Sequence, residues 1–201
     1  MPIFFKVSDL SNKMVDFLKE FLTNPKATGS IHPSSSHLAE AMTNAEMLGS
    51  SRCVIELGPG TGIITERILT KLPKDCIFFT VEINPAFAMK VKEKFPEVTV
   101  YSDSAENIQK YLQKHKREGC DTVISSLPWT FFDQQTQQQI FESVYHSLSP
   151  GGKMVTFVYP TIFLFPSGRR FRKLLQQHFP SIKKKIIWKN FPPAIVYECR
   201  R

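Results

Sequence analysis

Apolar positions along the chain follow two alternating patterns, one repeating every 3.6 residues and one of short unbroken runs. Leu10, Met14, Phe17, Leu18, Phe21 and Leu22 share one stripe and predict an amphipathic helix. The serines Ser34 to Ser36 offer capping oxygens, and the run through Leu38, Ala41, Met42 and Leu48 to Gly49 predicts a second helix. From Cys53 onward strand and helix alternate. Strands are predicted over 53–57, 76–81, 98–101, 121–125 and 153–159, with helices over 61–72, 86–95, 105–115, 134–148 and 169–178 between and after them. Two last strands, 182–188 and 194–199, flank a turn at Phe191-Pro192-Pro193. Short apolar strands separated by helices predict an α/β fold, its mostly parallel seven-stranded sheet covered on both faces and built from right-handed crossovers. The closing hairpin adds an antiparallel strand. With no repeat and no low-complexity linker, one domain over 1–201 is expected.

Composition narrows the class. The 201 residues are 42% hydrophobic and include 17 Phe, enough for a sizeable core. The longest nearly continuous apolar run, 154–165, has 12 residues and is too short to span a bilayer. Lys6 follows only a few apolar residues, so no secretory leader is expected. The four cysteines lie far apart and form no C-x-x-C pair, which argues against zinc and for a reducing, cytoplasmic setting. The histidines show no metal-ligand spacing, and no metal is expected. Charge is uneven: residues 153–201 hold 11 Lys or Arg against the single acid Glu198, whereas the whole chain is +8. The excess peaks between Arg169 and Lys189, a block suited to nucleic acid or to an anionic lipid surface.

The candidate chemistry gathers at predicted strand ends. The first strand runs into Glu56-Leu57-Gly58-Pro59-Gly60-Thr61-Gly62, whose glycines permit a tight turn and close approach of a ligand to the backbone. A dinucleotide fingerprint needs Gly or Ala three residues after Gly60, where this chain has Ile63, and the acid Glu56 suits a cationic ligand better than a pyrophosphate. Glu82 ends the second strand and can accept hydrogen bonds from both hydroxyls of a ribose. After the third strand, in Ser102-Asp103-Ser104, Asp103 could accept from an exocyclic adenine amine. Ligands bind at these carboxyl ends in open parallel sheets.

With the turn Leu148-Ser149-Pro150-Gly151-Gly152, these motifs resemble those of class I S-adenosylmethionine-dependent methyltransferases. The resemblance implies their Rossmann-like fold, with S-adenosylmethionine held by Glu56, Gly58, Gly60, Gly62, Glu82, Asp103 and Ser104. The fourth strand ends in Ser125-Ser126-Leu127-Pro128-Trp129, similar to the (N/D/S)-x-P-(Y/F/W) motif of enzymes that methylate amino groups. Ribosomal RNA adenine dimethyltransferases carry Asn where this chain has Ser126. Three segments resemble the bacterial PmtA-like phosphatidylethanolamine N-methyltransferases: Phe17-Leu18 through Asn24-Pro25-Lys26, Gly29 and the run from Pro33 to Ala39; Ser126-Leu127-Pro128-Trp129; and the run from Trp188 to Tyr197. That family implies stepwise methylation of an ethanolamine headgroup towards choline. It also implies catalytic positions at Ser126, Leu127, Pro128 and Trp129. Ser126 and the Leu127 carbonyl would orient the nitrogen, and Trp129 with Tyr159 would form an aromatic pocket. Residues 1–48 would form a membrane and substrate cap on a cofactor-binding core of 49–201. The amphipathic N-terminal helix and the block from Arg169 to Lys189 would hold the enzyme on the anionic inner face of the membrane, a phospholipid its substrate and no protein its partner. An RNA adenine methyltransferase, its phosphates bound by the same block, stays open as the alternative.

Overall fold

The computed structural model describes residues 36–160, 165–190 and 192–201. The chain divides into two units, Met1–His32 and Pro33–Arg201, and every described residue belongs to the second. The stripe from Leu10 to Leu22 lies outside the described residues.

Seven strands form one sheet: β1 (Cys53–Leu57), β2 (Ile77–Glu82), β3 (Thr99–Ser102), β4 (Cys120–Ser125), β5 (Leu148–Val158), β6 (Ser181–Ile187) and β7 (Ala194–Arg200). Their order is β3-β2-β1-β4-β5-β7-β6. The first five are parallel, and β7 runs antiparallel to both β5 and β6. The helices are α1 (Ser36–Met42), α2 (Ala45–Gly49), α3 (Ile63–Leu69), α4 (Pro85–Lys94), α5 (Ile108–Lys114), α6 (Gln134–Ser147) and α7 (Pro166–His178). A short 3-10 turn, Ala105–Asn107, leads into α5.

Alternation along each strand divides the core. Cys53, Ile55 and Leu57 of β1 face a cluster with Ile108 and Leu112 of α5, Phe141 of α6 and Phe171 of α7. Val54, Ile124 and Val155 point the other way, towards Leu38 and Met42 of α1 and Ile64 and Ile68 of α3. Each such side chain, fully buried, contributes about 1.5–3 kcal/mol. The Lys71–Glu40 ion pair beside α1 (2.6 Å) leaves the Glu40 side chain 60% exposed, so packing outweighs it in seating that helix. Because the chain steps outward from β1 through β2 to β3 and then crosses back to place β4 on the other side of β1, its topological switch point lies between β1 and β4.

The seven-stranded, mostly parallel sheet and its closing hairpin match the sequence expectation, and among the boundaries that differ three have a clear local cause. The single helix expected over 34–49 is two: Asn44 caps a new helix by accepting from the Met47 amide (3.0 Å), while the Thr43 hydroxyl donates back to the Ala39 carbonyl (2.8 Å). The helix expected over 61–72 starts only at Ile63, because Gly62 takes a left-handed φ of 80°. Strand β5 begins at Leu148 rather than residue 153. The turn glycines lie inside the strand, where pairing with β4 shifts register between Cys120 and Thr122 and Gly152 accepts from the Arg201 amide (2.9 Å). Phe171 fastens α7 to the sheet, 1% exposed and stacked at 4.8 Å on Trp129. Phe171→Ala is therefore predicted to cost ~3–5 kcal/mol, lowering the melting temperature by about 10 °C. Calorimetry decides; an unshifted melt would mean that α7 is not held by this contact.

Candidate functional site

The carboxyl ends of β1, β2 and β4 meet at the switch point, and the glycine turn crosses above them. Gly58, Gly60 and Gly62 have φ of 70°, 55° and 80°. At Gly62 a side chain would collide with the Phe95 ring, 2.7 Å from an added Cβ. At Gly60 nothing lies within 4 Å, so that position combines a left-handed backbone with open space over the cleft, as a ligand approaching the main chain requires. Gly58 touches the acceptor half of the site: an added Cβ would lie 3.2 Å from Leu127 Cδ2.

Glu56 is fully buried. One carboxylate oxygen, Oε2, accepts from the Thr65 hydroxyl of α3 (2.7 Å), while Oε1 is buried with no hydrogen-bond partner among the described residues. Burial pushes its pKa up to about 8, with the neighbouring Glu82 charge acting in the same direction. A sealed acid with one unused oxygen is suited to a cationic ligand group. Glu82, 7% exposed, accepts from the Gly60 amide (3.1 Å) on one oxygen and the Asn84 amide (2.9 Å) on the other. Each oxygen keeps acceptor capacity for a diol. Burial raises the Glu82 pKa against those two backbone bonds. Directly after it, Ile83 is a 71% exposed aliphatic side chain at the carboxyl end of β2. Sequence reading missed Ile83; its only signal was an aliphatic residue between Glu82 and the helix-capping Asn84.

Asp103 is placed at the end of β3 as expected, but its carboxylate is already engaged. Oδ1 accepts from the Ser104 amide (2.7 Å) and the Asn107 side chain (2.9 Å), and Oδ2 from the Tyr111 hydroxyl and Lys110. The Tyr111 hydrogen bond is foremost in holding the Asp103 carboxyl well below the usual carboxylate range. The geometry thus gives Asp103 to the turn before α5 rather than leaving it free for a base. Ser104 caps that turn, its hydroxyl accepting from the Glu106 amide (3.3 Å).

On the acceptor side, the Ser126 amide donates to the Leu57 carbonyl (2.9 Å), which locks the end of β4 beside the glycine turn. The Ser126 hydroxyl is buried and has no hydrogen-bond partner among the described residues. Leu127 and Pro128 are half-buried. Trp129 departs from the sequence expectation. Its ring is 1% exposed and stacks on Phe171, with Phe132 and Phe141 edge-on, so it fills the core instead of covering an acceptor. Ser125 holds it there by accepting from the indole N–H (3.1 Å). Tyr159 is partly buried between the two core clusters, and burial raises its hydroxyl pKa against a hydrogen bond from Asn190.

This architecture is shared with known methyltransferases. Residues 54–152 match the methyltransferase domain family. An ornithine lipid N-methyltransferase from Singulisphaera acidiphila is 30% identical over 187 residues, covering 92% of this chain and 94% of that protein. Malonyl-[acyl-carrier protein] O-methyltransferase 1 of Ilyobacter polytropus is 30% identical over 112 residues, 55% of this chain and 40% of its own length. Among solved structures, the N-methyltransferase NodS from Bradyrhizobium japonicum with S-adenosyl-L-homocysteine superposes with a TM-score of 0.67 at 12% identity, covering 92% of this chain and 97% of that one. An O-methyltransferase from Bacillus cereus, also with S-adenosylhomocysteine, gives 0.65 at 17%, covering 92% and 90%. At such identities the superpositions establish the fold. The chain belongs to the class I S-adenosylmethionine-dependent methyltransferases, and S-adenosylmethionine is its cofactor. No helix among the described residues is long and apolar enough to cross a membrane.

Burial of Glu56 has a measurable consequence. Unfolded, it ionises near its ordinary value of 4.5; folded, near about 8. Between those values the folded protein keeps a proton that the unfolded chain has released, so this group makes stability fall as pH rises from 5 to 8. Glu56→Gln removes that dependence, and its melting temperature relative to the native protein is expected to climb across the window. A constant difference from pH 5 to pH 8 would show that Glu56 ionises normally in the fold.

Proposed function

We propose that this methyltransferase transfers methyl groups to the primary amine of a membrane lipid. Ethanolamine and ornithine headgroups share that chemistry. The observation that carries the proposal is the buried, unpartnered Ser126 hydroxyl at the end of β4, beside the turn that holds Gly58. The full-length likeness to a lipid N-methyltransferase supports it. When bound, S-adenosylmethionine supplies a methyl group on a cationic sulfur. Glu56 would receive its ammonium and become ionised in doing so, Glu82 its ribose, and the open backbone at Gly60 its closest approach. Ile83 would pack on the base. Ser126 and the Leu127 carbonyl would take the N–H groups of the incoming amine and turn its lone pair towards the methyl. Tyr159, positioned by Asn190, would wall the acceptor side. The amine must arrive neutral, and a poorly hydrated cleft lowers its pKa in that direction.

The test supplies labelled S-adenosylmethionine with detergent-dispersed phosphatidylethanolamine, ornithine lipid or unmodified ribosomal RNA. Label in either lipid and none in RNA is expected; methylated adenine with unlabelled lipid would transfer the assignment to nucleic acid. Glu82→Ala is predicted to weaken S-adenosylhomocysteine binding roughly 10- to 100-fold, the equivalent of about 1.5–3 kcal/mol for lost charge-assisted bonds. Ser126→Ala should leave that binding intact and lower turnover about tenfold. Calorimetry and turnover on the same samples separate the two halves of the site, and equal effects from both variants would refute the division.

A further inference from the structure

The closing hairpin carries a surface that the methyl-transfer reading does not use. Val158 at the end of β5 pairs with Ile195, and Ile187 at the end of β6 pairs with Ala194. The β6–β7 turn therefore stands at the same edge of the sheet as the glycine turn, Glu82 and Ser126. At that turn Trp188 is 75% exposed, and Ile186 just before it is 48% exposed. The other two large exposed hydrophobics among the described residues are Ile83, just after β2, and Met89 in α4.

The hairpin's apolar tip is set in positive charge. Lys183, Lys184 and Lys185 of β6 and Lys189 of the turn are exposed, as are Arg169, Arg172 and Lys173 of α7. Strand and helix are neighbours here: Phe171 of α7, Ile182 of β6 and Tyr197 of β7 pack in one cluster, and the Lys184 ammonium lies 5.5 Å from the centre of the Tyr197 ring. No acid occurs between residues 169 and 189. Cations alone would suit any polyanion. An exposed indole and isoleucine at the tip beside these cations fit a surface that is anionic outside and apolar beneath, where a tryptophan ring settles at headgroup depth.

We propose that the β6–β7 hairpin tip, Ile186 and Trp188 with the surrounding lysines and the basic face of α7, docks on an anionic bilayer. The carboxyl edge of the sheet then faces the lipid, so a headgroup amine reaches Ser126 without its lipid leaving the membrane. This inference rests on the lipid reading above and adds the element that orients the enzyme.

The chain's two tryptophans make the test direct, since Trp129 is buried and Trp188 exposed. Vesicles of phosphatidylglycerol and phosphatidylcholine should shift tryptophan emission to the blue. Brominated acyl chains in the same vesicles should quench it. Pure phosphatidylcholine should do neither, and raised salt should reverse both effects. Trp188→Phe should abolish the response and leave the Trp129 emission unchanged. Replacing Lys183, Lys184 or Lys185 with Ser should weaken vesicle binding about fivefold each. Ile186→Ser with Trp188→Ser should lower turnover on vesicle-borne lipid at least about tenfold, while leaving turnover on a dispersed short-chain lipid of the same headgroup unchanged. Unquenched Trp188 in vesicle-bound protein would overturn the docking surface. So would equal loss of turnover on both lipid forms, or a Trp188 response to single-stranded RNA and none to vesicles. A native enzyme whose Trp188 is quenched but which methylates neither lipid form would uphold docking and refute the substrate assignment.

Discussion

A carboxylate sealed from water at the end of the central strand is the constraint on which this site depends. Glu56 is fully buried, is held by Thr65, and keeps one oxygen without a partner among the described residues. Leaving a buried acceptor unmatched costs about 1–3 kcal/mol, more if it is charged, so the fold holds Glu56 largely as a neutral acid near pH 7. Arrival of a cation would pair that oxygen and favour its ionised form. Glu56 lies just before the glycine turn, which can cross so close above because Gly58, Gly60 and Gly62 adopt left-handed backbone. The Gly60 amide, aimed at Glu82, links the two acids into one wall.

That wall and the acceptor side are separate constructions joined at one contact. The cofactor half is built from β1, β2 and α3. The acceptor half is the end of β4, braced by Ser125, Trp129 and α7. They meet where Gly58 faces Leu127, and the backbone bond from Ser126 to Leu57 fixes their spacing. A bulky Trp129 buried far from solvent makes sense here. By stacking on Phe171 it ties the acceptor turn to the basic helix, so substrate placement and the surface charge of α7 share one mechanical support.

The alternation of strands and helices was legible in the sequence because short apolar runs and amphipathic stripes report burial directly, and burial is what places Cys53, Val54 and Ile55 in the central strand. Glu56, the three glycines and Glu82 were legible for a related reason: acids and left-handed residues at strand ends have few structural uses. The roles of Asp103 and Trp129 were not. Asp103 is claimed by Tyr111 and Asn107, which follow it in the chain, and Trp129 by Phe171, far away in sequence. A motif shows that a ring or a carboxylate is present, not which neighbour will use it. The break at Asn44 escaped for the opposite reason, since one local capping bond outweighed a continuous apolar stripe.

The central claim, that Glu56 is a desolvated acid awaiting a cation, is tested most directly by following its side-chain carboxyl carbon by NMR as pH is varied, with and without S-adenosylhomocysteine, which retains the ammonium group. In the free protein the resonance should titrate near pH 8, and with the ligand bound its midpoint should fall well below that. A midpoint near 4.5 in the free protein, or one near 8 that the ligand leaves unmoved, would contradict the account.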